Sequence, residues 1–242
     1  MIPKRLFALG AALVATVLAA APTAAAQNGY VVVSPSNMNG WGFWDDTRTK
    51  PGTGQMVFGP AGQPLGAGSA ELTLTSAKTP TGAFADGEAL VTRNHDGTLV
   101  NSIIALDYWT YTRNKQAISL QLAFRTSPLP GNYHRLVYEP GTRGNPAVTE
   151  RVWQRQHPTA PTAGWWVTNS TTCNQSKVPA CTWTEIKALF GTYSLDTAGV
   201  WLKAGSNWQP EKYNVDAFLF VAAAPWAAVL YDFEPERNGD SD

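Results

Sequence analysis

Ile118-Ser119-Leu120-Gln121-Leu122-Ala123-Phe124-Arg125 is the stretch whose reading decides the fold. Ile118, Leu120, Leu122 and Phe124 alternate with Ser119, Gln121 and Arg125, and a period of two sends the apolar set to one face of a strand. The pattern recurs upstream, where Ala70, Leu72 and Leu74 alternate with Glu71, Thr73 and Thr75. Further strand signals lie at 30–34, 103–112, 133–139, 147–153, 164–169, 199–204, 214–221 and 226–233, separated by Gly, Pro and Asn. No long helical pattern sits between them to build parallel crossovers. The expected fold is therefore all-β, a two-sheet antiparallel jelly-roll sandwich with one short helix.

That helix is read from Thr182-Trp183-Thr184-Glu185, which fits a capping box, with Ile186, Leu189 and Phe190 on one side and Gly191 to end it. It begins beside Cys181. Cys173 and Cys181 are the sole cysteines, and in an exported protein an isolated pair at this spacing reads as a disulfide. Two thiols with no histidine nearby fall short of the four ligands zinc takes.

Export is read from the first 26 residues. Lys4 and Arg5 precede an uncharged apolar run from Leu6 to Ala20, and Ala24-Ala25-Ala26 supplies a small-residue cleavage pattern. The run is shorter than the roughly 20 residues of a membrane span. The expectation is a signal peptide over 1–26, one β-sandwich domain over 27–235 and a frayed tail over 236–242. The location expected is extracellular, with the periplasm as alternative, and no membrane insertion follows cleavage.

Without Lys4 and Arg5 the chain keeps 16 basic residues against 18 acidic ones, so no basic surface recommends a nucleic-acid partner. No phosphate loop, dinucleotide fingerprint or Gly-x-Ser-x-Gly elbow occurs. The three histidines are scattered, and His95 lies in the turn sequence Asn94-His95-Asp96-Gly97. Charge is scarce, whereas all 10 tryptophans follow the leader. Indole faces fill β cores, and those left outside stack on the C–H faces of sugar rings.

Gly199-Val-Trp-Leu-Lys-Ala-Gly-Ser-Asn-Trp208, Asn214-Val-Asp-Ala-Phe218, Tyr231-Asp-Phe-Glu-Pro235 and Gly68-Ser-Ala-Glu-Leu-Thr-Leu74 together carry a resemblance over about residues 30–235. They resemble secreted bacterial β-sandwich domains of undefined activity and the layout of galactose-binding-like jelly rolls, the fold of many carbohydrate-binding modules. The resemblance implies an extracellular glycan as partner, and Asp216 as the position matching a structural-calcium ligand; no other cofactor is expected. Trp201-Leu-Lys-Ala-Gly-Ser-Asn-Trp-Gln209 is also similar to the Tyr-Phe-Lys-Ala-Gly-x-Tyr-Asn-Gln segment of jelly-roll alginate lyases. Arg125-Thr126-Ser127 departs from that family's acid-and-arginine strand, and Gln156-His157-Pro158 lacks the apolar residue between Gln and His.

The candidate ligand-binding residues are Trp41 and Trp44, read in a Gly-rich loop, Trp165 and Trp166, Trp208 at a strand exit, and Arg135 and Tyr138. Trp165 and Trp166 are strand neighbours, so one of them must look away from the core. The leading expectation is non-catalytic glycan binding, with no catalytic residue assigned. The rivals are a polysaccharide lyase or glycoside hydrolase relying on Lys203, Glu139 or Asp46, and an envelope scaffold that binds protein.

Overall fold

The alternating run becomes β7 (Ser119–Arg125), with Leu120, Leu122 and Phe124 fully buried. Burying each such side chain contributes roughly 1.5–3 kcal/mol, which fixes the face and so the register. The computed structural model describes residues 29–46, 50–75, 87–127, 132–205, 208–224 and 228–236; the signal peptide read over 1–26 and all of the tail beyond Glu236 lie outside them.

β7 sits at the middle of a seven-stranded sheet. On one side it pairs with β8 (Tyr133–Tyr138), followed by β10 (Gly164–Val167) and the short β11 (Cys181–Thr182). On the other side come β12 (Leu195–Ala204), β5 (Glu88–Thr92) and β2 (Trp41–Asp45). A second sheet is organised on the long β13 (Lys212–Ala222), which pairs along one side with β6 (Ile103–Tyr111). β9 (Gln154–Gln156) extends β6 outward. Along its other side β13 pairs with β4 (Gly68–Thr73) through its first half and with β14 (Ala228–Phe233) through its second. β3 (Gln55–Phe58) and β1 (Gly29–Val33) form the edges. The two sheets pack face to face as an all-β sandwich. One pairing departs from the antiparallel expectation, since β1 runs parallel to β14.

The core is aromatic between the layers. Trp41 of the first-described sheet meets Phe218, Tyr231 and Phe233 of the other edge-on, at centroid distances of 5.7, 5.2 and 5.2 Å. That arrangement sets the positive ring edge against a negative face. Trp41 and Trp44 therefore belong to strand β2, which corrects the expected Gly-rich loop. The expected strand over 147–153 is also absent, and pairing there begins only at Gln154.

α1 (Trp183–Phe190) carries the capping box as read, with the Thr182 hydroxyl accepting from the Glu185 N–H and Glu185 reaching back to the Thr182 N–H. Gly191 caps its end. Cys173 and Cys181 are bridged with 5.8 Å between Cα atoms, tying the loop after β10 to the start of α1. A loop this short contributes about 2.5 kcal/mol through the unfolded chain. Cys173→Ser/Cys181→Ser is expected to lower the unfolding free energy measured in urea by that amount with sheet circular dichroism unchanged; a midpoint and slope equal to wild type would show that the clip adds nothing.

Candidate functional site

Ladder register defines what the outer face of the β7 sheet presents. Trp166 stands opposite Val137, Val137 opposite Gln121, Gln121 opposite Trp201, and Trp201 opposite Val91. One dyad away runs a second row, Ser119 against Lys203, Lys203 against Ala89, and Ala89 against Trp44. Arg135 faces Ala123, and Tyr133 faces Arg125, further along the same surface. Because alternate residues share a face, this surface is the complement of the core set on every strand.

The middle of the face is closed and rigid. The Arg135 guanidinium lies 4.0 Å over the Trp201 ring. Its Nε donates to the Tyr133 hydroxyl at 2.7 Å and its Nη1 to Gln121 Oε1 at 3.1 Å. Trp201 itself is fully buried and donates from Nε1 to the Ala198 carbonyl at 2.6 Å. A cation on an indole face contributes about 0.5–2 kcal/mol, more as water is excluded. Lys203 is nearly buried and ion-paired with Asp46. Gln121 and Ser119 are buried as well, so the polar side of β7 is covered where alternation alone reads solvent.

At the two ends of the face an indole keeps part of its surface uncovered. Trp166 is half-buried, its Nε1 donating to Glu139 Oε2 at 3.1 Å, and the Arg143 guanidinium lies 5.8 Å from its ring centroid. Trp44 is half-buried at the other end, on β2. Five strand spacings separate these indoles, about 24 Å at 4.8 Å per spacing.

Of the seven expected ligand-binding residues, Trp44, Trp166 and Arg135 share this face. The other four do not. Trp165 is fully buried, packed 5.1 Å from Trp183 and donating to the Pro158 carbonyl, because the strand period that turns Trp166 outward turns it inward. Tyr138 is buried beside it, donating to Gln156 Oε1 at 3.2 Å, and burial pushes its phenol up to about 12. Trp41 belongs to the aromatic core already described. Trp208 packs on Tyr213 at 5.2 Å, against the core rather than free at a strand exit. Tyr133, Gln121 and Trp201 complete the face beyond the expected residues: Tyr133 stands two places from Arg135, Gln121 lies on the polar side already read for its strand, and no local signal marks Trp201 as outward.

The residues of the enzymatic rival do not converge. Asp46 and Glu139 lie four strand spacings apart, about 19 Å, where inverting glycosidases hold their carboxyls roughly 6.5–9.5 Å apart. Gln156 and His157 belong to the β6 edge of the other sheet, where His157 Nδ1 meets Asp107 Oδ1 at 2.5 Å. Lys203 and the Gln-His segment of the lyase likeness are thus on different sheets.

Asp216, the expected calcium ligand, has a seam to close instead. It sits on β13 where pairing passes from β4 to β14, so the abutting strand ends leave N–H groups without ladder partners. Asp216 Oδ1 accepts from Phe233 N at 3.1 Å and Oδ2 from Leu65 N at 3.3 Å. Glu234 Oε1 accepts from Ala67 N at 2.7 Å and Gly68 N at 3.1 Å. Burial pushes Asp216 up to about 7, opposed by those N–H donors. Desolvation likewise raises Glu234. Among the described residues no three His, Cys, Asp or Glu side chains are grouped to hold a metal ion. No family model, curated protein or solved structure matches this chain.

Proposed function

We propose that this is a secreted, non-catalytic carbohydrate-binding domain whose ligand, an extracellular glycan, lies along the outer face of the β7 sheet. One observation carries the reading. Two partly exposed indoles, Trp44 and Trp166, lie on the same face as the Arg135 guanidinium, which is already held by Trp201, Tyr133 and Gln121. Stacking needs an apolar face, and hydroxyl recognition needs donors whose geometry is set before binding. The length of the face suits a polymer rather than a single sugar. Separation of Asp46 from Glu139 supports binding without bond cleavage. The bridged cysteines agree with export to an oxidising compartment, and among the described residues no helix is long and apolar enough to cross a membrane.

Affinity electrophoresis of residues 27–242 through a panel of soluble polysaccharides tests the proposal. At least one polymer is expected to retard the protein. Trp44→Ala and Trp166→Ala are each expected to weaken that retardation about tenfold, the equivalent of 1.4 kcal/mol of stacking, in protein that stays folded by circular dichroism. Free migration through the whole panel, or retardation indifferent to both substitutions, would overturn it. Release of new reducing ends or unsaturated products would assign the enzymatic rival instead.

A further inference from the structure

The other sheet carries a cavity that the glycan face does not use. Its floor is the outer surface of β13, β14 and β6, contributed by Ala217, Leu219, Leu230 and Trp109, and its wall is Pro64 and Leu65 of the loop before β4. The volume is about 370 Å³, within the range of small-molecule sites. The wall is fixed, since Leu65 donates its N–H to Asp216 and the next two amides but one, Ala67 and Gly68, bond Glu234.

Polar groups are few and lie on one side. Asp107 stands opposite Leu219 on the ladder, and Arg155 stands opposite Trp109. Both oxygens of Asp107 are engaged, Oδ2 by Arg155 Nη2 at 3.1 Å and Oδ1 by His157 Nδ1 at 2.5 Å. Arg155 is half exposed and spends one nitrogen on that contact. A guanidinium has five N–H donors and no acceptor. Asp107 keeps about two of its four acceptor sites and Arg155 about four of its five donors, so donors outnumber acceptors at the rim, beside an apolar floor with an indole on it.

From this we propose a second binding site, for a small apolar carboxylic acid, aromatic or short-chain, its body on Leu219, Leu230 and Trp109 and its carboxylate on Arg155. A sugar ring would leave most of its hydroxyls facing Leu and Pro carbons, which costs free energy for every hydrogen bond not remade. A neutral hydrocarbon would gain nothing from Arg155. The carboxylate pairs in the planar, two-pronged geometry that guanidinium groups favour.

The test uses phenylbutyrate, with phenylbutanol as its uncharged counterpart, followed by saturation-transfer NMR and by the Trp109 indole N–H resonance, assigned through Trp109→Phe. Phenylbutyrate is expected to receive saturation and shift that resonance, with phenylbutanol binding about tenfold more weakly. Arg155→Gln is expected to erase the difference between the two probes. Leu219→Trp, which fills the floor from the solvent side, is expected to abolish both signals, with Leu230→Trp as the second filling variant. Absence of saturation transfer in the wild type, equal binding of acid and alcohol, or full binding in both filled variants would each overturn the site. Polysaccharide retardation by the opposite sheet is untouched by any of these variants, so the two proposals fail separately.

Discussion

Asp216→Asn is expected to make this protein more acid-sensitive than the wild type, and His95→Gln more acid-stabilised, because the two groups act in opposite directions between about pH 6.5 and pH 4. Burial holds the Asp216 carboxyl at about 7, above its ordinary value of 3.8. The folded protein therefore binds a proton there that the unfolded chain does not. That contribution is fully present below the unfolded value and is lost as pH rises through about 7. His95 works in the opposite direction. It is buried, stacked 3.7 Å from Phe220 and within 3.3 Å of the Tyr231 hydroxyl, and burial lowers it from 6.5 to about 4. The unfolded chain binds that proton first, so stability present above the unfolded value is lost as pH falls towards about 4.

Each effect is bounded at about 3–5 kcal/mol, the larger for Asp216, taking about 1.4 kcal/mol for each unit of displacement. In the wild type they oppose each other over the shared window, with Glu234 adding in the direction of Asp216. Removing one leaves the other exposed. Urea midpoints at several pH values measure this directly, and the comparison of slopes is insensitive to whatever each substitution costs in packing. If the Asp216→Asn curve runs parallel to wild type, the carboxyl is not protonated in the folded state and the reading of the seam is wrong.

That seam was illegible in the sequence, and the reason is topological. Asp216 alternates on a strand like any solvated residue. Its burial arises because β4 and β14 abut along one side of β13, a relation between strands about 160 residues apart that no local period encodes. The core face of β7, the outward turn of one member of the Trp165–Trp166 pair, the disulfide and the capping box were all legible, because each depends on side-chain period or spacing within one segment. β2 shows a local signal read the wrong way. Asn39-Gly40-Trp41-Gly42-Phe43-Trp44 has the glycines of a loop. Yet a Cβ on Gly42 would stand 2.9 Å from the Trp44 indole nitrogen, so this glycine makes room for a ring lying along the strand. Trp41 then enters the core and Trp44 leaves it. Half of the aromatic reading at that end survived for this reason, and half did not.

Trp201→Ala is the substitution expected to damage fold and site together. Trp201 is fully buried although it is on the face turned away from the sandwich core, in a small cluster with Ala89 and Val91 against which Trp44 packs. Deleting an indole so enclosed costs about 3–5 kcal/mol, through lost burial and the cavity left behind. The same deletion removes the surface on which Arg135 lies, so that guanidinium regains rotamers it must surrender again on binding glycan. Stability and affinity should therefore fall together for Trp201→Ala. They should separate for Trp166→Ala, whose ring is partly exposed and whose loss is felt by the ligand more than by the fold. Trp201→Phe supplies the control, since a smaller ring keeps a platform for Arg135 and should recover most of the affinity while restoring only part of the stability. Chemical denaturation and affinity electrophoresis of the three variants, run on one polysaccharide, give the two measurements needed. Unimpaired retention by folded Trp201→Ala would mean that Arg135 needs no such support, and that the middle of this face plays no part in recognition.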